Sequence, residues 1–190
     1  MSSELEKQII SKLVERLFLQ ALTYTKSYES IAFVNVLGKE VVRVDRTGRI
    51  RKYQDLKESD LFRRVKNGAL GSIHVEGPFI QQDGQVGFTV GINKVDGDIG
   101  KFGGALVLQY SLRDFFQALD DIKIFGENPL WILDPGGTVL KRPAKLAGTF
   151  DPAGYLPSGT QEQAILQPLP FGILAYQDLT LTPARPLVRI

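Results

Sequence analysis

The sequence predicts an α+β fold: a long N-terminal helix, then two mainly antiparallel sheet modules with flanking helices, the second module smaller. Three observations predict it. From Ser3 to about Tyr28 there is no Gly or Pro, and apolar residues recur at helical spacing. The middle of the chain alternates in period two, interrupted by Gly and Asp-Gly connections of hairpin type. Strands follow strands, and the βαβα alternation of a doubly wound sheet is absent.

In the first helix, Leu5, Ile9, Leu13, Leu17 and Ala21 form one i+4 row, and Ile10, Val14, Phe18 and Leu22 form a second beside it. Together they cover about half the circumference, wider than the ~100° stripe that one packing face needs. That width suits either a deep groove of the chain's own domain or two contacts, one with its own core and one with a partner helix. The run from Ile31 to Asp45 reads as a β-hairpin: Ala32, Val34 and Val36 alternate with Phe33 and Asn35, Val42 and Val44 with Val41, Arg43 and Asp45, and Gly38-Lys39 lies between. Arg46 to Leu56 is polar and turn-rich, hence a loop. Ser59-Asp60 caps a short helix through about Lys66, which Asn67-Gly68 ends.

Three strands follow. Ser72 to Val75 is short. Val86, Phe88, Val90 and Ile92 alternate with Gly87, Thr89, Gly91 and Asn93, and Gly104 to Tyr110 is apolar almost throughout. Asp83-Gly84 and Asp96-Gly97 fall in the connections. Ser111 with Asp114 starts a helix over Leu112 to about Asp121. The second unit begins near Ile124. Leu130 to Leu133 and Thr138 to Lys141 flank an Asp134-Pro-Gly-Gly137 turn, Arg142 to Gly159 is rich in Pro, Gly and Ala, and Gln161 to Gln167 with Phe171 to Leu181 forms a closing hairpin around Pro168 and Pro170. The final Pro-Ala-Arg-Pro-Leu-Val-Arg-Ile190 has no structure of its own on this reading. The expected divisions are 1–30 for the helix, 31–122 and 123–182 for the two modules, and 183–190 for a tail.

Composition removes much chemistry. The 190 residues include no cysteine, one histidine, one methionine and one tryptophan. Disulfide scaffolds, cysteine nucleophiles, thiolate metal sites and two-histidine metal sites within one chain are excluded. Lys plus Arg number 23 against 21 Asp plus Glu, and the net charge of +2 supplies no field on the scale of a nucleic-acid binder. No signal peptide is visible, since Glu4, Glu6 and Lys7 interrupt the start. The longest uncharged run, Gln163 to Gln177, is about 15 residues with two prolines, where a spanning helix needs about 20. The chain is therefore either a complete cytosolic protein or a soluble piece of something larger.

Three stretches carry a family resemblance. Phe33-Val-Asn-Val-Leu-Gly-Lys-Glu-Val-Val-Arg-Val-Asp45 is similar to the hairpin of the double Cache domains, which ends Gly-x-Glu-hydrophobic-x-Arg-hydrophobic-Asp. Ile73 to Gly84, with Gly103-Gly-Ala-Leu-Val-Leu-Gln-Tyr-Ser-Leu112, resembles the stretch where that family crosses its pocket and returns on a glycine-led strand into a helix. Leu130-Trp-Ile-Leu-Asp-Pro-Gly-Gly-Thr-Val-Leu-Lys-Arg-Pro143 resembles the opening hairpin of the second, membrane-proximal module. These are PAS-like sensor regions of bacterial histidine kinases, diguanylate cyclases and chemoreceptors. The resemblance implies a non-enzymatic, extracytoplasmic ligand-sensing domain, the periplasmic or extracellular portion of an inner-membrane protein. Its parent would be anchored in the membrane and paired as a parallel homodimer through the N-terminal helix. A small molecule would bind in the distal module, and no cofactor or metal is implied. The amino-acid-binding members carry Tyr-x-Asp where this chain has Phe79-Ile80-Gln81, so the usual carboxylate for a ligand ammonium is missing.

The candidate ligand-binding residues are Tyr53, Arg63, Arg64, Ser72, His74, Phe79, Thr89, Asn93 and Asp96. Tyr53 to Lys66 would lid the pocket, with Arg63 or Arg64 turned inward, since Arg suits bidentate carboxylate binding. Thr89 and Asn93 share a strand face that could floor it. Ser72, His74 and Glu76 share one alternation register, and His74 is either a ligand or pH-responsive contact or a hydrogen-bonded strand residue. Asp96 is either a second pocket aspartate or a turn residue. Arg43 and Asp45 share a face, as a polar ligand site, a structural ion pair or a solvated sheet face. Arg46, Arg49, Arg51 and Lys52 form a basic loop cluster that either attracts an anionic ligand such as a carboxylate or is simply solvated. No Gly-x-Ser-x-Gly elbow presents a nucleophile, so no catalytic residue is assigned. A stand-alone α+β enzyme and a ligand-free dimerising scaffold are the rival readings.

Overall fold

A computed structural model describes residues 2–50, 52–81, 84–97, 100–121, 130–134, 136–143, 154, 165–169, 172–176, 178–182 and 185–189, with the backbone alone for residues 2–7, 49, 121 and 165–189. Arg51, the Leu5 side chain and most of the Pro-, Gly- and Ala-rich stretch lie outside the described set, as does the start of the strand expected at Gln161.

Helix α1 runs over Ser2–Tyr24, four residues short of the expected end. Thr25 N–H still bonds Ala21 O, but the chain then turns, Tyr28 N–H bonding Thr25 O. Tyr28 already belongs to β1, where its ring meets Tyr110 edge-on at 5.9 Å. An aromatic residue with a cross-strand partner gains more in the sheet than in a last helical turn.

The first sheet contains β1 (Tyr28–Val34), β2 (Glu40–Asp45), β3 (Gly48–Arg49), β4 (Ile73–Ile80), β5 (Val86–Val95) and β6 (Phe102–Ser111), in the order β3-β2-β1-β6-β5-β4. Helices α2 (Asp60–Asn67) and α3 (Arg113–Asp121) complete the series. The predicted β1–β2 hairpin is present, but its turn takes up Asn35 to Lys39 instead of two residues. Asn35 Oδ1 accepts from Leu37 N–H at 2.9 Å and Lys39 N–H at 3.1 Å, an Asx-type closure. Gly38 has φ +83, and a Cβ there would lie 2.5 Å from Lys57 Cα. Val36, expected in the strand, is exposed in this turn.

Two further differences concern polar segments. The loop expected after Asp45 turns at once: Asp45 Oδ1 accepts from Thr47 N–H, Thr47 Oγ1 and Gly48 N–H, and β3 pairs back on β2. Strand β4 runs five residues past Val75, through Gly77 (φ +117) and Pro78. It stands at the sheet's edge, where a proline's missing donor leaves no ladder bond unmade.

Period-two alternation sends apolar side chains to both faces of the sheet. Ile31, Val44 and Leu108 pack with Leu22, Phe18 and Leu19 of α1. Ala32, Val34, Ala105 and Val107 pack with Leu61, Phe62 and Val65 of α2. Val34, Val44 and Val65 are fully buried, each contributing roughly 1.5–3 kcal/mol. Helix α2 begins as expected, with the Ser59 hydroxyl accepting from Phe62 N–H at 3.2 Å, and ends at Gly68. Further out on α1, Ile9, Leu13 and Leu17 of the first row and Ile10 of the second are 54–60% exposed.

The chain divides into two compact units, Met1–Gly77 with Gly87–Asp114, and Pro78–Val86 with Phe115–Ile190. In the second, β7 (Ile132–Leu133) and β8 (Val139–Lys141) flank the expected turn, closed by Asp134 N–H to Thr138 O and Thr138 N–H to Asp134 Oδ1. Trp131, Ile132, Leu133 and Leu140 are buried, and Lys141 Nζ reaches Asp120 Oδ2 at 2.6 Å across the Phe116 ring. A hairpin joins β9 (Ile165–Leu169) to β10 (Gly172–Tyr176). The long strand expected up to Leu181 is two: β11 (Asp178–Thr182) is separate and pairs with β12 (Arg185–Arg189), in a sheet ordered β11-β12-β7-β8. The tail read as structureless is therefore a strand. Pro186 is accommodated because the β11–β12 register shifts on either side of its partner Thr180.

Candidate functional site

The face of the first sheet under α2 gathers three of the nine candidate residues. Gly91 of β5 lies beneath the helix, and a Cβ there would stand 2.5 Å from Val65 Cγ2 and 3.2 Å from Leu61 Cδ1. The helix thus rests on bare backbone. One turn further on, Asn93 Nδ2 donates to Val65 O at 2.8 Å and to Gly68 O at 3.2 Å, terminating α2 from below. Asn93 is 6% exposed, and its Oδ1 is buried without a partner. Asn93 N–H bonds Ser72 O, which sets Ser72 beside it. Ser72 Oγ and His74 Nε2 are 3.0 Å apart. Both press on Gly68, where a Cβ would come within 2.4 Å of them, so a larger residue at the helix end would displace the Ser72 and His74 side chains.

The other candidates lie elsewhere. Thr89 is half-buried on β5, opposite Gln109. Arg63 is exposed and pairs with Asp60 at 2.6 Å, while Arg64, partly buried, donates to Val75 O at 3.3 Å and so ties α2 to β4. Tyr53 is exposed on the loop before α2. Asp96 turns the chain from β5 to β6 through backbone bonds with Lys101 and Gly100. Phe79 sits half-buried on β4, in the second unit.

Beside α2, on the same face, lies a buried charged network. Glu40, its side chain 1% exposed, accepts from Arg43 Nη1 at 2.9 Å and from Gln54 N–H at 2.8 Å. Arg43 Nη2 donates to Gln109 Oε1 at 2.9 Å and to Ser30 Oγ at 3.3 Å, and its Nε is buried without a partner. The expected Arg43–Asp45 pairing is replaced by Arg43–Glu40. A bulge explains the exchange: Phe33 opposes Val42 and Val34 opposes Glu40, so the phase of β2 slips by one residue at Val41. Asp45 is used by its own turn. Within the basic cluster, Arg46 serves α1, donating to Leu22 O, Thr25 O and Lys26 O, where the helix dipole favours a cation. A shallow cleft of about 330 Å³ lies next to it, lined by Lys26, Glu29, Arg113 and Asp114 among others. Among the described residues no cluster of three His, Asp or Glu could hold a metal, and no helix is long and apolar enough to cross a membrane.

No family model and no curated protein sequence matches the chain. Solved structures do match it. The extracellular domain of vpHK1S-Z8, assigned as a histidine kinase, superposes with a TM-score of 0.72 at 16% identity, over 94% of this chain and 72% of that one. A domain of a sensory box/GGDEF family protein from Vibrio parahaemolyticus gives 0.71 at 15% identity, over 96% and 77%. The ligand-binding domain of the Campylobacter jejuni chemoreceptor Tlp3, in complex with 4-methylisoleucine, gives 0.62 at 12% identity, over 89% and 67%. At these identities the likeness is one of fold. The chain has the α+β, PAS-like fold of Cache-type sensor domains, as its sequence motifs led one to expect.

Proposed function

We propose that the chain is the extracytoplasmic sensing domain of a membrane-anchored bacterial signalling receptor, not an enzyme. The observation that carries this reading is the shared fold over 94% of the chain with an extracellular kinase domain. A chemoreceptor domain of the same fold holds an amino-acid-like ligand, 4-methylisoleucine. In this chain a small molecule binds in the distal module, residues 31–122, on the sheet face beneath α2. Asn93, Ser72 and His74 form its polar floor, and Thr89 lies four residues away along β5. The smaller module, residues 123–182, is membrane-proximal. The exposed apolar row Ile9, Leu13 and Leu17 supports a parallel homodimer through α1. Ligand binding shifts the balance between two arrangements of α2 and the sheet, and the output lies in the rest of the receptor.

A thermal-shift screen of carboxylates, amines and sugars tests this. A ligand at 100 times its Kd stabilises the folded state by about 2.7 kcal/mol. A hit is expected to lose affinity in Asn93→Ala. A broad panel without any hit favours the rival scaffold reading, which the direct packing of α2 on Gly91 also suits.

A further inference from the structure

We infer that residues 54–68, the loop and α2, form a strap fastened at both ends that opens from its C-terminal end, pivoting on Glu40. This strap fills its own seat on the sheet, so it acts as an autoinhibitory contact for the binding face proposed above. The order of opening does not depend on which ligand binds.

The two fastenings differ in kind. At the N-terminal end Gln54 exchanges two hydrogen bonds with Glu40, N–H to Oε2 at 2.8 Å and O from N–H at 3.0 Å. Leu56 N–H bonds Gly38 O at 2.7 Å, and Asp55 bridges to Lys39. Glu40 is held in turn by Arg43, whose guanidinium reaches β1 through Ser30 and β6 through Gln109. Freeing this end breaks a hydrogen bond to a buried carboxylate, of the charge-assisted kind that is about twice as strong as a neutral one.

At the C-terminal end, beside the apolar seat of Val65 on Gly91, the hydrogen bonds come from one neutral amide among the described residues. When Val65 O and Gly68 O leave Asn93, water satisfies them as it does other helix-terminal carbonyls, and the last turn of α2 frays, which frees the amides of residues 65–68. Asn93 Oδ1, buried without a partner while the strap is closed, gains water when it opens. Among the described residues a further polar tie, Arg64 to Val75 O, is long at 3.3 Å. Beyond Gly68 the chain has slack: Leu70 is 74% exposed and Gly71 has φ +71.

Amide hydrogen exchange on the intact 190-residue protein without ligand tests the order. Amides of residues 65–68 are expected to exchange at least about tenfold faster than those of Gln54 and Leu56, the spread expected for local opening. Asn93→Ala should raise exchange over residues 62–68 by a further tenfold or so and leave Gln54 and Leu56 unchanged. Asn93→Leu, similar in shape but unable to donate, should match it. Glu40→Gln should act at Gln54 and Leu56 first. Faster exchange at Gln54 and Leu56 than at 65–68 in the wild type overturns the proposal, whether or not the variants fold. So does an Asn93→Ala protein with unchanged exchange at 65–68. Because no ligand is used, an empty ligand screen leaves this order standing, and a failure here leaves the sensing role standing.

Discussion

Adding one methyl group at Gly91 probes how α2 is seated. The Cβ would lie 2.5 Å from Val65 Cγ2, whereas carbon atoms pack at about 3.5–4.0 Å. Either α2 withdraws by about 1 Å or Val65 leaves its rotamer, and such overpacking costs about 1–3 kcal/mol. Gly91 is not among the positive-φ glycines, so alanine is sterically allowed in the backbone and returns about 0.4–1 kcal/mol through the unfolded chain. The expected net loss is about 1–2 kcal/mol, or about 2–8 °C in Tm for a protein of this size. Val65→Ala alone removes two methyl groups from a fully buried side chain and costs about 1.5–3 kcal/mol. In the double variant the new methyl enters the space the old ones left. It should therefore be more stable than the two losses summed, by about 1–2 kcal/mol. Urea unfolding of the four proteins, followed by circular dichroism, measures this coupling. Additivity within about 0.5 kcal/mol would refute direct seating of Val65 on Gly91.

Other outcomes follow from the same structure. Ser59→Ala removes the N-cap of α2 and should lower stability by about 0.5–2 kcal/mol in urea unfolding, while Ser59→Asp should retain most of it. Glu40→Gln strands the Arg43 guanidinium and should cost about 3–5 kcal/mol, whereas replacing both by methionine should cost much less, measured by the same unfolding curves. Leu13→Ser with Leu17→Ser alters exposed positions, so it should change Tm little but shift sedimentation towards monomer if α1 pairs with a second copy.

Much of this was legible because period and punctuation are local properties. Ser59 marked the start of α2 and Gly68 its end, and the alternation in β5 and β6 placed both strands within a few residues. Three kinds of feature were not legible. The insertion of β6 between β1 and β5 is a long-range choice that no local pattern encodes. The bulge at Val41 slips the phase of β2, so counting back from Arg43 by twos misses Glu40, which became the partner. Asn93 was read as a pocket floor from its strand face. In the structure Asn93 caps the end of α2, and its bonds to Val65 and Gly68 depend on where α2 lands. Gly91 offered a signal that could have been used, since glycine within an alternating strand often marks a close backbone approach.

The central β1–β6 pairing has a consequence for how the molecule is made. Tyr28 opposes Tyr110, so the ladder ties together positions about 80 residues apart. Closing a loop of that length costs about 2 kcal/mol more than closing one of ten residues, before any side chain is buried. The β1–β2 hairpin and the β5–β6 hairpin can each form early from near neighbours, but they become one sheet only when the first strand of that sheet finds its last. Folding of this unit should thus be limited by a single late meeting, and slow for its size. A nascent chain halted before Phe102 would hold β1 with an open edge, since its permanent neighbour has not yet been synthesised.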